Sequence, residues 1–151
     1  MNYVGIDISK YKHDCFILSD FGEVINAGFT FSNNAEGFQA LERELALCGK
    51  GNVQIGLEAT GNYGINLKLF LERIGYDFME INPMLIKQYL KSSTLRRTKT
   101  DKLDAKAIAE YILAREYRPN PESFYDLFAL KQLTRLRSRL VSIRILPGAD
   151  D

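Results

Sequence analysis

Tyr3-Val4-Gly5-Ile6-Asp7 opens the chain as a short apolar run that ends on a carboxylate. Such a run reads as a buried strand with Asp7 at its C-terminal end. After the turn-like Ser9-Lys10-Tyr11-Lys12, His13 to Leu18 reads as a second strand. Asp20-Phe21-Gly22-Glu23 supplies turn chemistry, and Val24 to Phe31 reads as a third. Spacings this short favour an antiparallel meander. Ser32-Asn33-Asn34 offers helix caps, and Phe38, Leu41 and Leu45 recur at helical spacing up to Leu47. Cys48-Gly49-Lys50-Gly51-Asn52 then breaks the helix, and Val53 to Leu57 forms a fourth strand ending in Glu58. A strand reached through a helical crossover can lie parallel to the first. Asp7 and Glu58 would then stand side by side at one sheet edge, where open α/β sheets place their sites.

The remaining elements extend an α/β pattern. Ala59-Thr60-Gly61-Asn62 turns into a helix carrying Ile65, Leu67, Leu69, Phe70, Leu71 and Ile74, with Gly75 placed as its C-cap. Asp77 to Ile81 reads as a fifth strand. Asn82-Pro83 is a cap followed by proline at the first helical position, and a short helix spans Met84 to Leu90. A basic loop leads to a helix from Thr100 to Arg115, which Arg118-Pro119-Asn120-Pro121 closes off. Beyond it Leu127, Leu130, Leu133, Leu136, Leu140 and Ile143 suit an amphipathic helix. Lys131, Arg135, Arg137, Arg139 and Arg144 make that helix basic, and Pro147 to Asp151 reads as a structureless end.

With 151 residues, 46% hydrophobic and 26% charged, the chain has the composition of a soluble globular protein. A compact domain of this size buries about 68–70% of its unfolded surface. No apolar run is long enough to span a membrane, and the N-terminus lacks a signal-peptide pattern. Cys15 and Cys48 make no metal-ligand spacing, so a reducing, cytoplasmic setting is expected. The net charge of +1 conceals an asymmetry: residues 1–83 carry 6 Lys/Arg against 11 Asp/Glu, and residues 84–146 carry 14 against 6. A basic C-terminal half points to a polyanionic partner.

The second pair of acids lies in Lys99-Thr100-Asp101-Lys102-Leu103-Asp104-Ala105. Residues three apart share a helix face, so Asp101 and Asp104 can converge on one point, although acids at a helix start also serve as caps. Brought together with Asp7 and Glu58 they would repel strongly and raise one another's pKa. Divalent cations relieve that repulsion, and all-oxygen ligands point to Mg²⁺ or Mn²⁺. Two such ions, about 3.5–4 Å apart, can stabilise both oxygens of an in-line phosphoryl displacement. Lys10, Arg96, Arg97, Lys99, Lys102 and Lys106 are the candidate nucleic-acid contacts, because they flank the acids. Phosphate contacts of that kind position a backbone and specify no sequence. His13, the single histidine, lies in a strand pattern and reads as structural. Thr60, Gly61 and Asn62 could offer backbone N–H groups to a phosphate, and Tyr63 could stack on a base; ordinary capping and packing explain them as well.

Val4-Gly5-Ile6-Asp7-Ile8-Ser9-Lys10, Glu58-Ala59-Thr60-Gly61, Asn82-Pro83 and Lys99 to Ala105 occur in order and together resemble the DEDD transposases of insertion-sequence-110 type, relatives of the pilin-inverting DNA invertase. The resemblance covers roughly residues 2–146. It implies an RNase H-like fold of the Holliday-resolvase (RuvC) kind, a mixed five-stranded sheet flanked by helices with a C-terminal basic helix. It implies that Asp7, Glu58, Asp101 and Asp104 are the metal ligands of a recombinase that moves a mobile element on DNA under a guide (bridge) RNA. Residues 1–118 would form the catalytic domain, 119–146 the start of a helical connector used in dimerisation, and 147–151 a disordered tail. In that family a domain with a catalytic serine follows the connector. This sequence stops at the connector's start, so a complete recombination reaction by this chain alone is not expected. A nucleic-acid-binding or dimerisation module without complete catalysis is the alternative.

Overall fold

In a computed structural model, the described residues are 1–58, 61–92, 101–115, 117–121 and 123–145, with side chains described for all of these except 101–103 and 141–145. Strands β1 (Asn2–Ile8), β2 (Lys12–Ser19), β3 (Val24–Ser32), β4 (Val53–Glu58) and β5 (Phe78–Ile81) form one sheet in the order β3-β2-β1-β4-β5. The first three strands pair antiparallel as a meander, whereas β4 lies parallel to β1 and β5 parallel to β4. The mixed α/β sheet expected from the sequence is therefore the one observed. One boundary differs. Pairing of β1 with β4 stops at Ile6↔Leu57, but pairing with β2 runs on to Ile8↔His13. The hairpin therefore holds Asp7 inside β1 rather than beyond its end.

Helices α1 (Ala35–Cys48), α2 (Ile65–Arg73), α3 (Pro83–Ser92) and α4 (Asp101–Ala114) complete the first of two compact units, Met1–Asn120. The Asn34 side chain accepts the Gly37 N–H at 2.9 Å and starts α1; Asn82 does the same for Met84 at 2.9 Å ahead of α3. Along α1, Phe38, Leu41 and Leu45 are buried, and the Phe38 ring packs on Phe70 of α2 at 5.3 Å. Lys68 of α2 is buried and pairs with Glu80 of β5 at 3.1 Å, which compensates its removal from water. Asn120 closes the β5 edge by donating to the Phe78 carbonyl at 3.0 Å and accepting the Glu80 N–H at 3.3 Å. An otherwise open strand edge is thereby covered.

Side-chain alternation along the strands sorts the two faces of the sheet. Tyr3, Gly5, Gly56, Met79 and Ile81 face α4, where Ala107, Ile108 and Ile112 pack with Ile86 of α3. Phe16 and Leu18 of β2 extend that face against Ala105 and Ala109. Helix α4 lies directly on the strands at two glycines. A Cβ on Gly5 would stand 2.1 Å from the Ala105 carbonyl and 2.5 Å from the Ala109 nitrogen, and one on Gly56 would stand 3.0 Å from Ile112. Cys15 is buried and, like Cys48, a free thiol.

The second unit, Pro121–Asp151, contains α5 (Phe124–Ile145). Ser123 Oγ accepts the Asp126 N–H at 3.2 Å, and Phe124 stacks on Phe128. Leu127, Leu130, Leu133, Leu136 and Leu140 are exposed along it. The predicted tail, 147–151, lies outside the described residues. No helix among the described residues is long and apolar enough to cross a membrane.

Candidate functional site

The site is built where β1 and β4 run parallel. Asp7 shares the sheet face of Gly5, and Glu58 that of Gly56, because each lies two residues further along its strand. Both carboxylates therefore emerge on the side covered by α4. The register Ile6↔Leu57, continued by one residue, brings Asp7 level with Glu58. The helix supplies the third acid. Ala105 rests on Gly5, so the start of α4 lies at the strand ends that carry the acids, and Asp104 immediately precedes Ala105.

Electrostatics agree with the approach of Asp104 to Glu58. The Glu58 carboxyl is pushed above its ordinary range, first by burial and then by the negative charge of Asp104. Lys87 of α3 acts in the opposite sense and partly offsets them. The sequence pattern alone does not single out this cation. The available signal is its position in the helix that Asn82-Pro83 opens immediately after the fifth strand.

A further carboxylate belongs to the same row. Asp14 of β2 is the cross-strand partner of Asp7, and Thr30 of β3 is the partner of Asp14. Directly paired residues share a face, so Thr30, Asp14 and Asp7 line the α4 side together. Asp14 is only 5% exposed, and its Oδ1 accepts the Thr30 hydroxyl at 2.5 Å. In the sequence Asp14 is one polar position within a strand pattern. A carboxylate seven residues after Asp7, across a turn of three, is the signal that hairpin register could have supplied.

The other residues expected at the site separate into two groups. Lys10 lies in the β1–β2 turn with its ammonium 5.1 Å from the Tyr11 ring centroid. Lys106 points along α4, with Nζ 3.9 Å from Glu110 Oε1 and 5.8 Å from the Phe16 ring centroid. Arg96, Arg97 and Lys99 lie outside the described residues, and of Asp101 and Lys102 only the helical backbone is described. Three of the four expected metal-binding acids, Asp7, Glu58 and Asp104, are thus gathered at one end of the sheet. Among the described residues, no three His, Cys, Asp or Glu side chains stand close enough to hold one ion jointly. The donors that do converge are all hard oxygens, the set that suits Mg²⁺ or Mn²⁺, and the Glu58–Asp104 repulsion is the kind a divalent cation would neutralise.

The same arrangement of sheet and helices occurs in known proteins. RuvC of Thermus thermophilus in complex with Holliday junction substrate is similar over 80% of this chain and 99% of that one, at TM-score 0.56 and 13% identity. A second Thermus thermophilus RuvC structure is similar over 80% and 100%, at TM-score 0.56 and 14% identity. At such identities the likeness establishes the fold, which is RNase H-like of the RuvC kind. No protein with a curated description matches the sequence. The family model of the insertion-sequence-110 DEDD type, described as Transposase, matches residues 4–145, and the chain belongs to that transposase family.

Proposed function

We propose that this chain is the catalytic domain of a DNA recombinase that carries out divalent-metal-dependent phosphoryl transfer during transposition. Asp7, Glu58, Asp101 and Asp104 are its metal-binding carboxylates. The observation that carries the reading is the approach of Asp104 to Glu58, produced by the seating of Ala105 on Gly5 beside Asp7. Two Mg²⁺ or Mn²⁺ ions held there would lower the charge on the attacking and leaving oxygens of an in-line displacement. In that displacement a water or hydroxyl oxygen bonds to the scissile phosphorus while the bond to the leaving oxygen breaks. The nucleophile's proton passes to solvent, and solvent returns one to the leaving oxygen.

DNA is the substrate class that the family supports, and one structural relative is described with a Holliday junction. A guide RNA as second partner, a cytoplasmic location, and completion of the reaction by a serine domain outside this chain rest on the family resemblance. Residues 1–118 are the catalytic domain on this reading, and 119–146 begin a connector. The exposed leucines of α5 support self-association through that helix.

The test is thermal melting with and without Mg²⁺ or Mn²⁺. At a hundredfold excess over Kd, binding to the folded state should raise Tm by about 5 °C or more. Asp7→Asn and Asp104→Asn should each remove most of the rise. A wild-type chain indifferent to both metals would sink the metal-dependent reading and leave a nucleic-acid-binding or dimerisation module.

A further inference from the structure

Two connectors leave the C-terminal ends of the parallel strands β1 and β4, and one side chain ties them together. Asn33 donates from Nδ2 to the Lys10 carbonyl at 3.0 Å and to the Tyr63 carbonyl at 3.2 Å. Its backbone N–H bonds the Tyr11 carbonyl at 2.9 Å. Three backbone oxygens from two separate loops thus converge on one residue.

A buried histidine lies next to that amide. His13 is fully buried, and its Nδ1 accepts the Ser9 N–H at 3.2 Å, so in the neutral ring Nε2 carries the proton. Asn33 is close enough to interact with the imidazole, and His13 Nε2 and Asn33 Oδ1 are both buried with no partner in hydrogen-bonding geometry. A buried donor nitrogen near the amide favours the orientation that turns the NH₂ end of Asn33 towards Lys10 and Tyr63. The clamp holds the loops.

The clamp holds together the two loops that carry Tyr11 and Tyr63, at the end of the sheet where β1 and β4 finish with Asp7 and Glu58 on the opposite, α4-covered face. Tyr11 is 76% exposed in a tight turn and Tyr63 is 50% exposed, so neither ring is accounted for by core packing. Lys10 sets its ammonium over one face of the exposed Tyr11 ring, so a cation and an aromatic surface stand together. Exposed rings next to lysine are the chemistry of single-strand binding, in which bases stack on π-faces and phosphates meet the charge. We propose that Lys10, Tyr11 and Tyr63, on loops tied together by Asn33, form a stacking cradle for an unpaired nucleobase at the C-terminal ends of β1 and β4. A paired base inside a duplex has no free face to offer, so the cradle selects opened or single-stranded nucleic acid. This proposal rests on the nucleic-acid reading above, but it does not depend on metal chemistry.

The chain has no tryptophan, so Tyr11→Trp and Tyr63→Trp each create a single fluorescent reporter. The full chain is titrated in chelator with a short oligodeoxyadenylate and with a blunt duplex of equal length. The oligonucleotide should quench both reporters, and the duplex should quench neither. Tyr11→Leu and Tyr63→Leu should each weaken single-strand binding about tenfold and change duplex binding less than about twofold, whereas the Phe variants should bind as wild type. Asn33→Asp cannot donate to the two carbonyls, and it should weaken single-strand binding with both rings still present. Unquenched reporters, or Leu variants that melt and bind as wild type does, would overturn the cradle. Because no metal is present, loss of the metal-induced Tm rise with quenching intact would count against the metal reading alone.

Discussion

Gly5 and Ala105 are in contact through their backbones: a methyl group on Gly5 would stand 2.1 Å from the Ala105 carbonyl oxygen. No side chain separates strand from helix at that point. The start of α4 is thereby pressed onto the middle strand of the sheet, and Asp104 is brought to Glu58. Gly5→Ala should therefore cost about 1–3 kcal/mol or more, the ordinary range for overpacking a rigid contact. Gly51, where an added methyl group would meet nothing within 4 Å, serves as the neutral control. Urea unfolding of both variants checks this, and equal midpoints would show that α4 gives way freely.

The Asp14–Thr30 bond makes a second prediction. Thr30→Val preserves shape but removes the hydroxyl that Asp14 accepts. A buried acceptor left short of a donor costs about 1–3 kcal/mol, so chemical denaturation should show a loss in that range.

Glu58 gives a pH dependence with a definite sign. Its folded pKa lies above the unfolded one, so the folded chain holds that proton more tightly. The associated stability is present at acid pH and is lost as pH rises through the folded value. In the metal-free protein, Glu58→Gln should raise Tm near neutral pH, with the advantage fading towards about pH 4. The same variant should blunt the Tm rise with Mg²⁺. A variant less stable than wild type at neutral pH would contradict the Glu58–Asp104 repulsion.

His13 acts in the other direction. Burial lowers its pKa from 6.5, against smaller upward pulls from Asn33 and Asp14. The folded state keeps the ring neutral where the unfolded chain takes up a proton. That contribution is full above 6.5 and is lost as pH falls below it. His13→Gln should flatten the stability profile between about pH 7 and 5; a slope identical to wild type would place its origin elsewhere.

The basic stretch before α4 makes a prediction from sequence alone. Removing charge at Arg96 and Arg97 should weaken DNA binding evenly across sequences and reduce the salt slope by about one for each phosphate no longer neutralised. Unchanged slopes in anisotropy titrations would move the binding surface to another basic element, with Arg135 to Arg144 the next to test.

Local signals sufficed for the elements. Asn34 and Asn82 were legible as caps because capping is satisfied within three residues, and the hairpins followed from short turns. The crossover between the third and fourth strands implied a parallel pair, and with it the meeting of Asp7 and Glu58. The resemblance that links the four motif blocks also lies in the sequence. Tertiary structure alone decided what depends on residues distant in the chain. Asp14 became a neighbour of Asp7 only through hairpin register, and the charge of Lys87 came to act on Glu58 only once α3 was placed. Asn33 could not be read as more than a cap, because its partners lie 23 and 30 residues away. Periodicity reports which face of an element is apolar; which polar groups then meet depends on how closely two elements approach, and at Gly5 that distance is set by the absence of a side chain.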